Sequence, residues 1–328
     1  MKASFATNAI LILSAVSCVA AGVCAAQGNV DANYPTKPIR LIVPQAPGGS
    51  NDIMARTIGA QLGERTGRQV VVDNRPGAEG MIGSEMVARA APDGYTLLMA
   101  STAFTMNPAV IKKLPYDPIK DFTFAATLGR GPVLITVGPS LPVNSVKELV
   151  ALGKSKPNHI TMASAGGFMH FVSAMFRSHV GIDAVIALYK GGVPALSDVT
   201  GGHAHMAVAT VPTANPSLRG GKVRALAIGS AKRLAILPDL PTVDEAGFPG
   251  YEASIWWAWA ATGGTPTAVI NKLNSEVAAI LKSPDNAKRF AAEGAEIETR
   301  TPAEIRKMIA ADLIKWEKVA QDAKMVKQ

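Results

Sequence analysis

The chain has 328 residues, a formal net charge of +8 and only 5% aromatic residues. Its basic residues are scattered, whereas a nucleic-acid groove needs a concentrated basic stripe with stacking aromatic side chains, so the composition argues against a nucleic-acid partner. A scattered positive excess suits a small anionic ligand or an anionic membrane surface.

Residues 1–26 have the layout of a secretory signal peptide: a single lysine, an apolar stretch over residues 9–23, and small residues up to Ala26. The stretch is shorter than a membrane-spanning helix, so we expect cleavage near Ala26 and a periplasmic mature protein. Cys18 and Cys24 both lie in the segment to be removed, which leaves no disulfide and no cysteine-based metal site. Neither follows a typical lipoprotein motif, and we do not expect lipidation.

The remaining chain, about 300 residues, is longer than one hydrophobic core usually serves, so we expect two domains. Its first part alternates β-branched runs with helical patterns, which indicates α/β units around a largely parallel sheet. The predicted strands cover residues 39–43, 69–73 and 95–100, and the predicted helices run from Ser50 to Gly67 and over residues 80–90.

A second α/β unit follows a proline-rich passage. Ser145-x-x-Glu148 is a capping-box pattern that opens a helix. Two further helices are predicted after glycine-rich turns. The predicted strands cover residues 122–128, 133–137, 160–163, 184–188, 206–211 and 223–228.

The C-terminal part contains a strand with three tryptophans over residues 254–261 and amphipathic helices from Pro266 and from Thr301. Such helices need a domain to cover, and the simplest assignment folds this part back onto the first unit. Lobe one then comprises residues 34–130 and 231–328, and lobe two comprises residues 131–230. We interpret the tryptophans as buried packing rather than as a binding site.

Strand-to-helix turns rich in glycine are the main candidate sites, because their backbone N–H groups and positive helix ends can cradle carboxylate oxygens. The candidates are Pro47, Gly48, Gly49, Ser50 and Asp52 in the first turn, Ser164, Ala165, Gly166, Gly167 and His170 in the second, and Lys190 and Gly191 in the third. Phe104 and Thr210 are added as candidate ligand contacts, which makes fourteen. We expect Ser164 and the Gly166–Gly167 turn to supply the main cradle. No dinucleotide or nucleoside triphosphate motif is present, and no cofactor is expected.

The sequence gives less support to two other kinds of site, a catalytic serine–histidine pair and a histidine metal site. Ser164 with His170 would suggest a secreted serine hydrolase, but a nucleophile elbow needs glycine where Met162 stands, so we do not expect an enzyme. His203 and His205 would share one face of a strand as half of a metal site, yet further ligands are scarce, and we interpret them as structural.

Many short motifs along the mature chain are similar to one known family. They are Tyr34-Pro-x-Lys37-Pro38, Pro47-Gly-Gly-Ser50-x-Asp52, Asp73-Asn-Arg-Pro-Gly77, Pro92-Asp-Gly-Tyr95, Leu114-Pro-Tyr-Asp117-Pro, Tyr189-Lys-Gly191, Arg224-Ala-Leu-Ala227 and Leu237-Pro-Asp-x-Pro241. In this order they resemble the tripartite tricarboxylate transporter receptors, also called Bug proteins. The resemblance implies a type II periplasmic-binding fold, with a ligand held between two α/β lobes and delivered to a permease of one large and one small subunit.

By the same resemblance, the turn at Pro47–Gly49 faces the ligand from lobe one, and the turns at Ser164 and at Lys190–Gly191 hold a carboxylate from lobe two. We expect a monomeric solute-binding protein that captures a small organic carboxylate. A sensor that presents its ligand to a signalling receptor is the alternative, and neighbouring genes would distinguish the two.

Several positions depart from the family pattern. Ala209 and Thr210 stand where an Asp-Asn pair is frequent, and Ala174 replaces a frequent glutamate, so we expect no acidic partner for a ligand ammonium group. Phe104, Phe168 and Met169 either line the cleft or are buried within their own lobes. If they face the cleft, the hypothesis is an amine-free carboxylate with an apolar part, aromatic acids first.

Overall fold

The computed structural model describes residues 33–292, 294–322 and 327; the predicted signal segment lies outside these residues. The strands are β1 (Ile39–Val43), β2 (Val70–Asn74), β3 (Thr96–Ser101), β4 (Phe122–Val137), β5 (Ile160–Ser164), β6 (Ala184–Leu188), β7 (Met206–Thr210), β8 (Arg224–Ile228), β9 (Ser254–Thr262) and β10 (Glu296–Ile297). The helices are α1 (Ser50–Thr66), α2 (Met81–Ala88), α3 (Thr102–Val110), α4 (Val146–Ser155), α5 (Gly167–Val180), α6 (Gly192–Thr200), α7 (Val211–Arg219), α8 (Thr267–Leu281), α9 (Pro284–Ala292) and α10 (Pro302–Asp322).

The sheet is mixed, whereas the sequence predicted a largely parallel one. Its strand order is β2-β1-β3-β9-β4-β7-β5-β6, with β8 and β10 also paired to β4. The β1–β2, β1–β3, β5–β6 and β5–β7 pairs are parallel, and β9 and β4 form antiparallel pairs between these two parallel groups. The chain returns through long connections to place these two strands, which local patterns cannot reveal.

Strand β4 connects the two parallel groups. Its first part pairs with β9 as far as Pro132, and from Val133 onward it pairs with β7 and β8. The predicted boundary between the lobes, at residue 131, lies close to this change of partners. The exact lobe boundaries stay a prediction.

Hydrophobic side chains form separate clusters on the two sides of this change. One cluster joins Leu98 of β3, Trp256 of β9 and Ile309 of α10, and another joins Leu134 of β4, Ala163 of β5 and Val199 of α6. The C-terminal helix α10 therefore covers the first part of the chain, as the amphipathic spacing predicted. Trp257 and Trp259 are fully buried, which confirms that the tryptophan strand is packing surface.

Local signals account for most element boundaries. Gly67 ends α1 with a φ of 67°, a left-handed conformation that glycine adopts at little cost. The Ser145 side chain accepts a hydrogen bond from Glu148 N and so caps α4, as the capping box predicted. Three helices, α3, α7 and α9, were not predicted, and Pro108 and Pro216 lie inside the first two. No helix within the described ranges is long and apolar enough to cross a membrane.

Candidate functional site

A cavity of about 540 Å³ lies where the carboxyl ends of the parallel strands of both groups meet. This is the position at which open α/β sheets bind ligands. The first part of the chain contributes residues 44–46, 49–51 and 76–80 with Ser101 and Ala103, and the second contributes residues 165–169, 189–192, 195–196 and 207–210 with Thr213. Ile255 of β9 completes the lining.

Six helices, α1, α2, α3, α5, α6 and α7, begin at this cavity. Their N-cap residues are Gly49, Gly80, Ser101, Gly166, Gly191 and Thr210, and none of them accepts a capping hydrogen bond through its side chain. Of the helices that begin elsewhere, α4 and α10 are capped by Ser145 and Thr301, whereas α8, which follows Pro266, has no side-chain cap. Uncapped helix N-termini present N–H donors and partial positive charge, so the cavity is arranged to receive an anion.

The side chain of Asp52 holds the β1–α1 turn in place. Its carboxylate accepts hydrogen bonds from Gly48 N, Arg56 Nε and Asn74 Nδ2, each at 3.0 Å. Burial raises the pKa of Asp52, but these hydrogen bonds and the Arg56 charge outweigh burial and hold the pKa below its ordinary value. Asp52 therefore positions the turn, and it does not line the cavity.

Three polar side chains on the lobe-one wall form a connected group. Asn51 Nδ2 donates to Gln45 Oε1 at 2.5 Å and to Ser101 Oγ at 3.1 Å. The Asn51 Oδ1 atom is buried without a hydrogen-bond partner among the residues that the structure describes. The sequence analysis did not select Gln45 or Asn51, although both flank the glycine turn.

The lobe-two wall offers hydroxyls and one cation. Thr210 Oγ1 and Thr213 Oγ1 are 2.9 Å apart, and Tyr189 donates its hydroxyl hydrogen to Asp198 Oδ2 at 2.8 Å. That hydrogen bond raises the pKa of Tyr189. Lys190 is exposed at the cavity, and no ion pair or hydrogen bond of its ammonium group occurs within the described part of the chain. It is free to pair with an incoming carboxylate.

The structure brings eight of the fourteen predicted residues to the cavity wall: Gly49, Ser50, Ala165, Gly166, Gly167, Lys190, Gly191 and Thr210. It does not bring the other six, which are Pro47, Gly48, Asp52, Phe104, Ser164 and His170. All three predicted turns thus reach one site, but several side chains within them point elsewhere.

Phe104 is a core residue, contrary to its assignment as a ligand contact. It is only 4% exposed, its ring stacks on Tyr116 at 5.6 Å, and it meets Phe122 edge-on at 4.9 Å. Residue 104 lies in the first turn of α3, where the side chain turns back toward the sheet. Phe168 and Met169 do line the cavity, and Phe168 also packs edge-on against Trp316 of α10.

Ser164 and His170 do not form a catalytic pair. Ser164 is fully buried at the end of β5, and its Oγ atom has no hydrogen-bond partner among the described residues. His170 Nδ1 is likewise unpartnered there. The serine hydrolase alternative therefore lacks its nucleophile–base hydrogen bond.

His205 has a structural role, as the sequence analysis interpreted it. Thr161 N donates to His205 Nδ1 at 3.0 Å, and the ring lies 5.2 Å from that of His159. Burial and the neighbouring His159 lower the pKa of His205. Across the described ranges, no group of three or more histidine, cysteine, aspartate or glutamate residues is arranged to hold a metal ion.

The two walls touch at the rim of the cavity. A Cβ atom placed on Gly191 would lie 3.0 Å from Ala46 Cβ, and one placed on Gly48 would lie 2.9 Å from Val193 Cγ2. Both distances are shorter than ordinary carbon–carbon contacts. Glycine at these positions therefore allows the lobes to close on each other, which explains Gly48 without a ligand contact.

Glu79 is a cavity residue that the sequence analysis missed. The expectation that no acidic side chain would be available to a ligand ammonium group rested on Ala174 and Ala209, and it is wrong for the cavity as a whole. Glu79 follows β2 in a loop and was assigned to no motif. The cavity therefore does contain an acidic side chain that could pair with a ligand ammonium group.

Comparison with known proteins agrees with this fold. The family model described as tripartite tricarboxylate transporter family receptor matches residues 54–325. Protein BugT of Bordetella pertussis is 34% identical over 293 residues, covering 88% of this chain and 90% of that protein. The structure of R. palustris Rpa4515 with adipate has a TM-score of 0.87 and 34% identity, over 90% of this chain and all of that one.

A second solved structure, MatC from Rhodopseudomonas palustris with bound malate, has a TM-score of 0.83 and 30% identity, covering 87% of this chain and 99% of its own. The family match over residues 54–325 includes the cavity turns at residues 76–80, 165–169 and 189–192. The chain belongs to the tripartite tricarboxylate transporter receptor family of Bug-type periplasmic solute-binding proteins.

Proposed function

We propose that this protein is a periplasmic receptor that captures a small organic carboxylate between its lobes and delivers it to the membrane permease subunits of a tripartite tricarboxylate transporter. It acts by binding and release, as a monomer and without a cofactor. The observation that carries the proposal is the convergence of six helix N-termini without side-chain caps on one cavity.

The size of this electrostatic effect fits reversible capture. An anion at a helix N-terminus is stabilised by about 0.3–1 kcal/mol, and by about 2 kcal/mol in partly buried geometry. Direct hydrogen bonds to a charged group contribute about 1.5–3 kcal/mol each. A few such contacts supply the roughly 8 kcal/mol that micromolar affinity requires.

Relatives support the ligand class. Rpa4515 was solved with adipate and MatC with malate, and both ligands are small carboxylates. The cavity of this chain, about 540 Å³, lies within the size range of small-molecule sites. Closure of the lobes around the anion would be a population shift, because only the closed form contacts the ligand from both sides.

Isothermal titration calorimetry with organic acids and their methyl esters tests the proposal. We expect the free acids to bind and the esters, which lack the charge, to lose most of the affinity. Lys190→Gln should weaken acid binding about tenfold, since it removes the free cation at the cavity.

Lys113→Gln is the matched control, because it removes the same charge from an exposed residue outside the cavity. Equal affinity for acids and esters, or equal effects of the two lysine variants, would contradict carboxylate capture at this site.

Delivery to a permease is tested separately, by uptake of the bound acid in cells with and without the receptor.

A further inference from the structure

We propose that Glu79 is a specificity-determining residue that selects a zwitterionic ligand, one that carries an ammonium group beside its carboxylate. The inference rests on the proposed function and names the ligand class of the same cavity. It replaces the amine-free hypothesis, whose premise was the absence of an acidic group at this site.

The backbone conformation of Glu79 is unusual for a side chain of this kind. Ala78 and Glu79 have φ values of 46° and 56°, between Gly77 and Gly80, whose φ values are also positive. A residue with a Cβ atom loses about 1–2 kcal/mol in this left-handed region. Strain of this kind persists where the surroundings hold it and is concentrated at functional sites.

The surroundings do hold this segment in place. Asn107 Nδ2 donates to the Glu79 carbonyl oxygen at 3.0 Å, and Gly80 N donates to Gly77 O at 3.0 Å. Asn107 itself is buried in α3. The 76–80 loop is thereby fixed to lobe one, and the Glu79 side chain extends from it into the cavity.

The carboxylate of Glu79 reaches across to lobe two. A Cβ atom placed on Gly167 would lie 3.0 Å from Glu79 Oε2, and one placed on Gly166 would lie 3.7 Å from the same oxygen. These glycines form the uncapped start of α5, which belongs to the predicted carboxylate cradle. Within the residues that the structure describes, no hydrogen bond or ion pair of this carboxylate occurs.

This position constrains the ligand. A ligand carboxylate at the start of α5 would lie close to the Glu79 carboxylate, and two like charges at such a distance repel each other. A ligand ammonium group placed between the two carboxylates would instead be attracted to both of them. The other helix N-termini and Lys190 leave room for the ligand carboxylate, so the wall offers a negative group and several positive ones to a zwitterion.

Matched pairs of ligands that differ only in the ammonium group test the inference. The probes are phenylalanine and 3-phenylpropanoate, glutamate and glutarate, and 2-aminoadipate and adipate, titrated calorimetrically into the mature protein. We expect the ammonium-bearing member of the pair that binds best to bind about tenfold more tightly than its partner. Glu79→Gln should reverse this preference, weakening the zwitterion and strengthening the plain acid.

Glu64→Gln is the control, because Glu64 is exposed on α1 outside the cavity and the variant makes the same change of charge. Glu79→Gly removes the carboxylate together with the backbone strain, and it should show the same reversal with a higher Tm.

The outcomes separate the two proposals. Tighter binding of the plain acids by the unmodified protein would overturn the role of Glu79 while supporting carboxylate capture. An equal gain for both members of a pair in Glu79→Gln would also overturn it, because Glu79 would then merely compete with every anion for the start of α5. Binding of none of the six probes at millimolar concentration would contradict both proposals.

Discussion

The contact between Gly191 and Ala46 at the cavity rim makes lobe closure sensitive to one methyl group. In Gly191→Ala the new Cβ atom would lie 3.0 Å from Ala46 Cβ, at least half an ångström inside the optimum of about 3.5–4.0 Å. Overpacking of this size costs about 1–3 kcal/mol, and opening of the lobes relieves it. We therefore expect the Kd for the ligand to rise about 5- to 150-fold.

Gly191 also has a φ of 130°, a conformation that side chains rarely adopt, so the variant is strained whether the lobes are open or closed. This strain lowers the Tm without ligand, by an amount that corresponds to about 1–3 kcal/mol. The steric effect is different, because it acts only in the closed form and therefore appears in the affinity. Calorimetric Kd values together with the Tm of ligand-free protein separate the two effects.

A double-variant cycle with Ala46→Gly tests whether the contact between residues 46 and 191 governs the ligand affinity. Removing the opposing methyl group should restore most of the affinity of Gly191→Ala while leaving its lower Tm unchanged. Gly67→Ala is the control, since Gly67 also has a positive φ but lies outside the cavity, and a Cβ there would meet nothing within 4 Å. If the double variant bound no better than Gly191→Ala alone, closure at this contact would not govern affinity and the reasoning would be refuted.

Three further predictions concern residues that the structure moves away from the cavity. Asp52→Asn should lower the free energy of unfolding by about 2 kcal/mol at neutral pH. The pKa of Asp52 is lower in the folded state than in the unfolded state, so its contribution to stability is complete above the unfolded-state pKa and is lost as the pH falls through the folded-state pKa. In urea unfolding, the difference in unfolding free energy between the unmodified protein and Asp52→Asn should therefore shrink below about pH 4. Phe104→Ala should cost about 3–5 kcal/mol of stability in chemical unfolding, and a change confined to ligand affinity would contradict its assignment to the core. Ser164→Ala would cost about 1–2 kcal/mol of affinity if the sequence-based assignment were right; we expect unchanged calorimetric affinity and no fall in Tm, because the hydroxyl is buried and unpartnered among the described residues.

The parts of the fold that local patterns determine were predictable from the sequence. Strand β1 and strand β6 have the predicted bounds, and the Ser145 capping box opens α4 as expected. Strand β9 was recognised as a strand, whereas β4 was predicted as two strands, residues 122–128 and 133–137. The pairing of β9 with β3 and β4 was not predicted, because it depends on a return of the chain over more than a hundred residues. Helices α3 and α7 were missed because each contains a proline, which suggested a turn.

The backbone segments that line the site were predictable from the sequence, whereas the directions of their side chains were less predictable. Glycine-rich turns after strands mark where helix N-termini converge, and those turns reached the cavity. Side-chain direction within a turn depends on the helical register that follows it, which the sequence does not specify. Asp52 and Phe104 were therefore assigned to turns that do reach the cavity, but their own side chains do not line it. Asp52 accepts a hydrogen bond from its own turn, and Phe104 packs in the hydrophobic core.

Glu79 carries no pattern that a sequence could reveal, and yet it changes the charge balance of the cavity. Its backbone adopts a conformation typical of glycine, and its acidic group looks like any exposed loop residue until the fold places it against the start of α5. The positive elements could be predicted from the glycine-rich turns, because they arise from helix N-termini that follow those turns. The negative element depends on a single side chain. Affinity for a carboxylate is thus a property of the fold, whereas discrimination between a plain acid and a zwitterion depends on one residue of the 76–80 loop.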